Sequence, residues 1–267
     1  MSTDFCTEFQ VRKDVFNGLT IESCLNFDRL KVERFGEILP PCLKHWTQLG
    51  IRGIWMKIQL KHSDWVPVCA KNGFQFHHAK KDYVMMSKWL PEDEPSTLPL
   101  YPFTSIGLGG VVISHKGQVL LMREQRGPYL GWKFPGGLAD PGEDLFEAVG
   151  REVLEETGVE AEATSILCFR HQHNFRWQTD DFFFLCLMRP KNAGDALANP
   201  PKPCPQETAA CKWFTRAEME ALPKEEFRQF HRMVLEKCDQ VSAKNSSIKP
   251  SQFHDVNNRK YYMYYVE

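Results

Sequence analysis

Residues 136–159, GGLADPGEDLFEAVGREVLEETGV, constrain this chain more than any other stretch. Pro141-Gly142 is a turn signal, Glu143 and Asp144 are acids suited to a helix's first turn, and Gly158 is a residue that ends one. The segment reads as loop, short helix, loop. Its fixed points are Gly137, Glu143, Arg151-Glu152, Glu155-Glu156 and Gly158-Val159, with five residues between the first two and seven between Glu143 and Arg151. At about 100° per residue, Glu152, Glu155 and Glu156 fall within an arc of roughly 100°. Such a helix opposes itself: like charges at i,i+4 cost about 0.2–0.5 kcal/mol per pair, and the acids stand near the end of the dipole that disfavours anions. Arg151 can pair with Glu155 but cannot neutralise three carboxylates. A hard divalent cation can, because Mg2+ takes carboxylate oxygens and keeps water and phosphate oxygens in its shell. A solvated acidic face is the alternative for an isolated acidic helix, and the flanking glycines and arginine favour the metal.

The chain has 267 residues, 42% hydrophobic and 25% charged, which suits one large or two modest globular domains. A net charge of −1 gives no electrostatic footprint for nonspecific nucleic-acid binding. The nine cysteines are scattered without a CxxC pair, as in a reduced, intracellular protein. The first ten residues lack the apolar run of a signal peptide and the arginine-rich character of a transit peptide. The longest apolar run, 182–188, suits a buried strand and is too short to span a bilayer.

The segment 91–103, with four prolines and three acids, reads as a stiff, extended linker. It divides the chain into an α/β domain over 1–95, a linker over 96–103, a second domain over 104–240 and a tail over 241–267. In the first domain, helical spacing over 28–49 is expected to break at Pro40-Pro41. Residues 51–60 and 83–90 read as strands, and Ser63 is placed to cap a helix that ends at Gly73, with Pro67 in its first turn. In the second, 107–114 and 119–124 read as a hairpin around His115-Lys116-Gly117, and WKFPGG (132–137) leads into the acidic segment. Residues 166–171 and 181–189 read as paired strands, and 193–206 as a loop of small residues and prolines. Thr215 and Glu218 make a capping box, and a further helix is expected over 224–238. The polar stretch 239–251 reads as mobile, and the closing RKYYMYYVE as a strand that docks back on the body.

From Gly137 to Val159 the sequence resembles the Nudix hydrolases, whose box it matches throughout. The resemblance implies an α/β fold, with the loop–helix–loop carried on an α/β/α sandwich with a mixed sheet. It also implies hydrolysis of a nucleoside diphosphate linked to another moiety, with Mg2+ or Mn2+. By position it implies Glu152 and Glu156 as metal ligands, and Glu155 as a third ligand or one that acts through water. Loop carbonyls near Gly136 and Gly137 are implied as further ligands, and Arg151 as the residue that orients the glutamates. A later acid completes many such sites. Glu207, six residues before Trp213 in PQETAACKWF, is the candidate, with an ordinary loop glutamate as the alternative.

GIWMKIQLKHSDWVPVCAKNGFQFHHA, WKFPGG and HNFRWQTDDFFFLCLMRP extend the resemblance over most of 14–220. They resemble the subfamily that contains the vertebrate antisense basic fibroblast growth factor protein and plant ADP-ribose/NADH Nudix hydrolases. That implies an acetyltransferase-like fold for the N-terminal domain. The domain offers no Gly-rich acetyl-coenzyme A loop, so it reads as structural or dimer-forming.

The expected chemistry is water attack on phosphorus in a diphosphate bridge, with metal clamping the phosphate oxygens and Glu152 or Glu207 as general base. The resemblance implies ADP-ribose or NADH-type dinucleotides as substrates. Coenzyme A esters, nucleoside triphosphates, capped RNA and a noncatalytic, partner-binding scaffold stay open. Specificity must come from outside the box. Trp132 and Phe134 could stack a base or nicotinamide, and Arg123 and Arg126 could meet a phosphate or ribose, against the alternatives of core-facing rings and solvated arginines. His171 and His173 share a strand face as if to bind metal; with no third ligand near them in sequence, they read as polar surface rather than a zinc site. The expected partner is a small-molecule nucleotide, with a homodimer from the resemblance, no membrane and no nucleic acid beyond an RNA cap. The expected location is the cytoplasm, with nucleus and mitochondrion left open.

Overall fold

The structure is a computed structural model and describes residues 3–26, 30–191, 200–244 and 246–266. The chain divides into two compact units, Met1–Phe103 and Thr104–Glu267. No helix among the described residues is long and apolar enough to cross a membrane.

In the first unit the elements are β1 (Val11–Lys13), β2 (Gly18–Glu22), α1 (Ser23–Asn26), α2 (Val32–Gln48), β3 (Gly53–Gln59), α3 (Trp65–Lys71), β4 (Gln75–Ala79) and β5 (Tyr83–Trp89). The sheet order is β1-β2-β3-β5-β4, with β2 and β3 parallel and the other neighbours antiparallel. Alternate residues of β3, Ile54, Met56 and Ile58, are fully buried against α2 and α3.

The expected break at Pro40-Pro41 does not occur. Both prolines lie inside the continuous α2. Phe35, Ile38, Leu39, Cys42, Leu43 and Trp46 of this helix are all buried. Burial of that stripe offsets the two prolines, each costing about 3 kcal/mol or more in a helix interior. The start of the expected span, 28–29, lies outside the described residues. Asp64 rather than Ser63 occupies the position before α3, because Ser63 still belongs to the preceding 3-10 turn. The proline-rich segment is laid along this unit: Arg52 pairs with Glu94 at 3.0 Å, and the Trp89 indole N–H donates to the Glu94 carbonyl at 3.1 Å.

The second unit contains β6 (Thr104–Val112), β7 (Val119–Glu124), α4 (Leu145–Thr157), β8 (Ala161–Gln172), β9 (Asp180–Pro190), β10 (Thr208–Phe214), α5 (Arg216–Ala221), α6 (Gln229–Lys244), β11 (Ile248–His254) and β12 (Lys260–Val266). One sheet has the order β6-β9-β8, with β6 and β9 parallel and β8 and β9 antiparallel. A second pairs β7 with β10, and a third pairs β11 with β12. β6 from Gly107 onward and the start of β7 are buried on both faces. Leu108, Val112 and Leu120 pack with Val149 and Val153 of α4. Val111, Val119 and Leu121 pack with Val234, Leu235 and Cys238 of α6. This is the α/β/α sandwich with mixed strand directions.

The turn at 115–117 forms, closed by Ser114 N–H to the Gln118 carbonyl at 2.9 Å. Its two strands then part, with Ile113–Val119 as an isolated bridge, and enter different sheets. The segment 133–138 spans that gap, since Lys133 bridges to Met122 of β7 and Leu138 to Gly107 of β6. The capping box of Thr215 and Glu218 is present. Part of the loop expected over 193–206 lies outside the described residues.

The stretch expected to be mobile, 239–251, carries secondary structure on either side of residue 245, which lies outside the described residues: α6 continues to Lys244 and β11 begins at Ile248. The closing strand supports β11. β12 pairs with β11 along its whole length, and Tyr264 packs edge-on against Phe146 of α4 at 5.6 Å between ring centres. The Ile248 N–H donates to the buried Ser165 Oγ at 2.8 Å, anchoring β11 beside β8.

Candidate active site

The loop before α4 is held in register along β6. Gly110, Leu108 and Ala139 N–H groups donate to the carbonyls of Pro135, Gly137 and Ile106, at 2.8, 2.8 and 2.9 Å. Gly136 has φ +152, and a Cβ there would lie 2.0 Å from the Leu108 carbonyl oxygen, so only glycine fits. At the other end Gly158, φ +68, closes α4 by donating to the Leu154 carbonyl at 2.8 Å.

The start of α4 is met from a distance. Asp144 holds the cap position without a side-chain cap bond and lies 3.5 Å from Lys260 of β12. The Tyr264 hydroxyl lies near the backbone of Leu145 and Phe146. Burial first, then the nearby Asp144 carboxylate, pushes that phenol up to about 12.

Arg151 organises the acids. Its Nε and Nη2 donate to the two oxygens of Glu143 at 2.8 and 3.0 Å, Nη1 to Glu152 at 3.0 Å and Glu155 at 3.2 Å, and Nη2 to the Leu138 carbonyl at 3.1 Å. The fork holds the Glu143 carboxyl below the usual range. Hydrogen bonding to Glu143 raises the guanidinium in turn.

Glu156 is the most enclosed acid of the group, only 6% exposed, and its Oε2 accepts from the Gly136 N–H at 2.6 Å. Burial pushes its carboxyl up to about 7; Lys133 and the Gly136 N–H oppose the shift, while Glu152 and Glu124 add to it. Glu152 lies over Gly137, where a Cβ would come within 2.6 Å of its carboxylate. Its carboxyl is also raised, first by burial, and Arg151 opposes this more than Glu155 and Glu207 add. Glu155 is 58% exposed at its side chain and pairs outward with Arg151.

Glu207 reaches this cluster because its loop docks on the end of α4. Lys202 and Cys204 N–H groups donate to the carbonyls of Thr157 and Glu156 at 2.7 and 3.2 Å, and the Gln125 N–H donates to the Glu207 carbonyl at 2.9 Å. A cavity of about 270 Å3 follows, lined by Glu124, Gln125, Arg126, Glu156, Gln206 and Glu207. A buried Glu156 and a half-buried Glu152, both raised first by burial and further by neighbouring acids, with only oxygen donors in the carboxylate cluster, fit a hard divalent cation.

The fold therefore gathers Arg151, Glu152, Glu156, Gly137 and Glu207, and leaves Glu155 at the rim. The Gly137 carbonyl already accepts from Leu108, which leaves it one lone pair for a ligand role. Phe134 and Arg123 face away from the cluster. Phe134 is 5% exposed in the core, edge-on to Phe227 and His231, with no face left for a substrate ring. Arg123 pairs with Glu226 and lies over the Trp132 ring at 4.7 Å. The cause is the two-residue alternation of extended backbone. It turns Trp132, Phe134 and Arg123 to one face, and Lys133 and Glu124, which pair with each other, toward Glu156. Lys133 and Glu124 are the site residues that sequence reasoning missed, although alternation along WKF was a signal for the first.

A family model described as "NUDIX domain" matches residues 104–238, and one described as "Nudix hydrolase domain" matches residues 9–90. The chain is 36% identical over 211 residues to "Nudix hydrolase 8" of Arabidopsis thaliana, covering 77% of this chain and 55% of that one. It is 36% identical over 157 residues to "Nucleoside diphosphate-linked moiety X motif 6" of Xenopus laevis, covering 58% of this chain and 69% of that one. A solved structure titled "NUDIX hydrolase from Nitrosomonas europaea" aligns with a TM-score of 0.42 at 21% identity, covering 51% of this chain and 89% of that one. The chain belongs to the Nudix hydrolase family. It spans a little over half the length of the plant relatives it matches.

Proposed function

We propose that the unit Thr104–Glu267 is a pyrophosphohydrolase that adds water across the P–O–P bridge of a nucleoside diphosphate linked to another moiety. The convergence of Glu152, Glu156, Glu124 and Glu207 beside one cavity carries this reading. Glu152 and Glu156 would hold Mg2+ or Mn2+, with Glu155 completing the set from the rim. A divalent cation bound there supplies Lewis-acid stabilisation of charge on the diphosphate oxygens. Arg151 keeps Glu152 in place, and the Gly136 N–H keeps Glu156 in place. Glu207, on the cavity wall, or Glu152 takes the proton from the attacking water. Arg126, also on the cavity wall, is placed for a substrate phosphate. ADP-ribose and NADH-type dinucleotides head the substrate candidates, on the resemblance to the plant subfamily.

The test is a panel of nucleotide diphosphate substrates with Mg2+ and Mn2+, read by product chromatography. Glu152→Gln should lower kcat by two or more orders of magnitude with an unchanged fold. Near-normal turnover by Glu152→Gln would sink the role of Glu152. Stabilisation by Mg2+ with no turnover of any substrate would favour a scaffold instead.

A further inference from the structure

A second cluster of ligating side chains lies where β8 and β9 run into their connection. The ladder pairs Gln172 with Asp181 and His171 with Phe182. Carried on by one residue, that register sets His173 opposite Asp180, with His171 two residues back on the same face and diagonal to Asp180. Asp180 Oδ2 lies 3.0 Å from His173 Nδ1 and 3.4 Å from His171 Nε2, and the three ligand atoms all fall within 4.8 Å of one another. A tetrahedral ion with bonds of about 2.0–2.1 Å holds its ligands about 3.4 Å apart, so small side-chain shifts would bring the three atoms to that spacing.

The His171 ring lies flat on Phe182, 4.1 Å between centres at 5°, which fixes one ligand. The connection itself has little packing to order it. Trp177, its largest side chain, is 90% exposed, and Asn174, Trp177 and Gln178 have φ of 54, 52 and 62. A bond from His173 on one side and Asp180 on the other would tie its two ends.

We propose that His171, His173 and Asp180 bind one zinc ion, with the fourth position open to water. Two imidazoles and one carboxylate suit a borderline cation rather than Mg2+, which prefers oxygen. The donor chemistry thus separates this site from the all-oxygen cluster on α4, and the proposal is independent of the hydrolase reading.

The test titrates Zn2+ calorimetrically into the full chain in millimolar Mg2+, beside His173→Ala, Asp180→Asn and, as a control, Glu156→Gln. One equivalent should bind to the wild type and to Glu156→Gln, with affinity at least tenfold weaker in the other two. Absent binding to the wild type, or equal binding to wild type, His173→Ala and Asp180→Asn, overturns the site and leaves any uptake to other side chains. A wild-type readout guards against variants that fail to fold. Tryptic cleavage after the exposed Arg176, within the connection, should slow at least tenfold with Zn2+. Cleavage indifferent to Zn2+ overturns the proposal as well.

Discussion

Glu156→Gln should stabilise the metal-free protein above neutral pH, although it removes a proposed ligand. The Glu156 carboxyl rises from 4.5 to about 7 because it is buried among other acids. A carboxyl with a raised folded-state pKa holds its proton more tightly folded than unfolded. Its contribution is therefore fully present below pH 4.5 and is lost as pH rises toward 7. At about 1.4 kcal/mol per unit, the loss is about 3 kcal/mol. Glutamine is isosteric, never ionises and can still accept from the Gly136 N–H. In EDTA at pH 8 the variant should thus melt above the wild type, by about 6–12 °C for a unit of this size, and the gap should close by pH 4.5. Mn2+ or Mg2+ should raise the wild-type Tm by mass action and reverse the order. Thermal melts of both proteins at the two pH values, with EDTA or metal, decide it. A Tm difference in EDTA that does not change with pH would refute the account of why this acid is held where it is.

His231 behaves with the opposite sign. Burial, first, and then Lys133 and Arg228 push its imidazole down to about 4, and its Nδ1 finds no partner among the described residues. Its contribution is full above pH 6.5 and falls by about 3 kcal/mol toward pH 4; in urea melts the offset between wild type and His231→Phe should be constant above pH 6.5, and the wild type should lose about 3 kcal/mol relative to the variant toward pH 4. Arg151→Lys keeps the charge but loses the fork that spans both Glu143 oxygens, and should cost about 1–3 kcal/mol along with metal affinity, read by melts and metal titration. Tyr264→Phe removes only the hydroxyl over the α4 N-terminus and should cost about 1 kcal/mol, whereas Tyr264→Ala also loses the contact with Phe146 and should cost more; thermal melts separate the two.

The box, its helix and the pairing of β8 with β9 were legible because each is written in local sequence: turn residues, helix-ending glycine and apolar runs. The unbroken α2 was not legible, because a proline rule is local and the burial of its apolar stripe is tertiary. Phe134 and Arg123 were drawn to the site by their chemistry and away from it by the pleat, a distinction that depends on the strand's facing and not its composition. Asp180 was hidden from the two histidines by the intervening turn, and only the ladder register sets it opposite His173.

The cover on α4 has a consequence for the order of assembly. The helix that carries the acids has no side-chain cap from Asp144, and its start is covered by Tyr264 of β12, which packs on Phe146. A chain emerging from the ribosome makes the acidic helix long before it makes the strand that covers it. Until β12 arrives, the helix start is left to water, and contacts this distant in sequence are slow to close. Maturation of the acidic cluster should therefore wait for β12, more than a hundred residues after the helix that carries the acids.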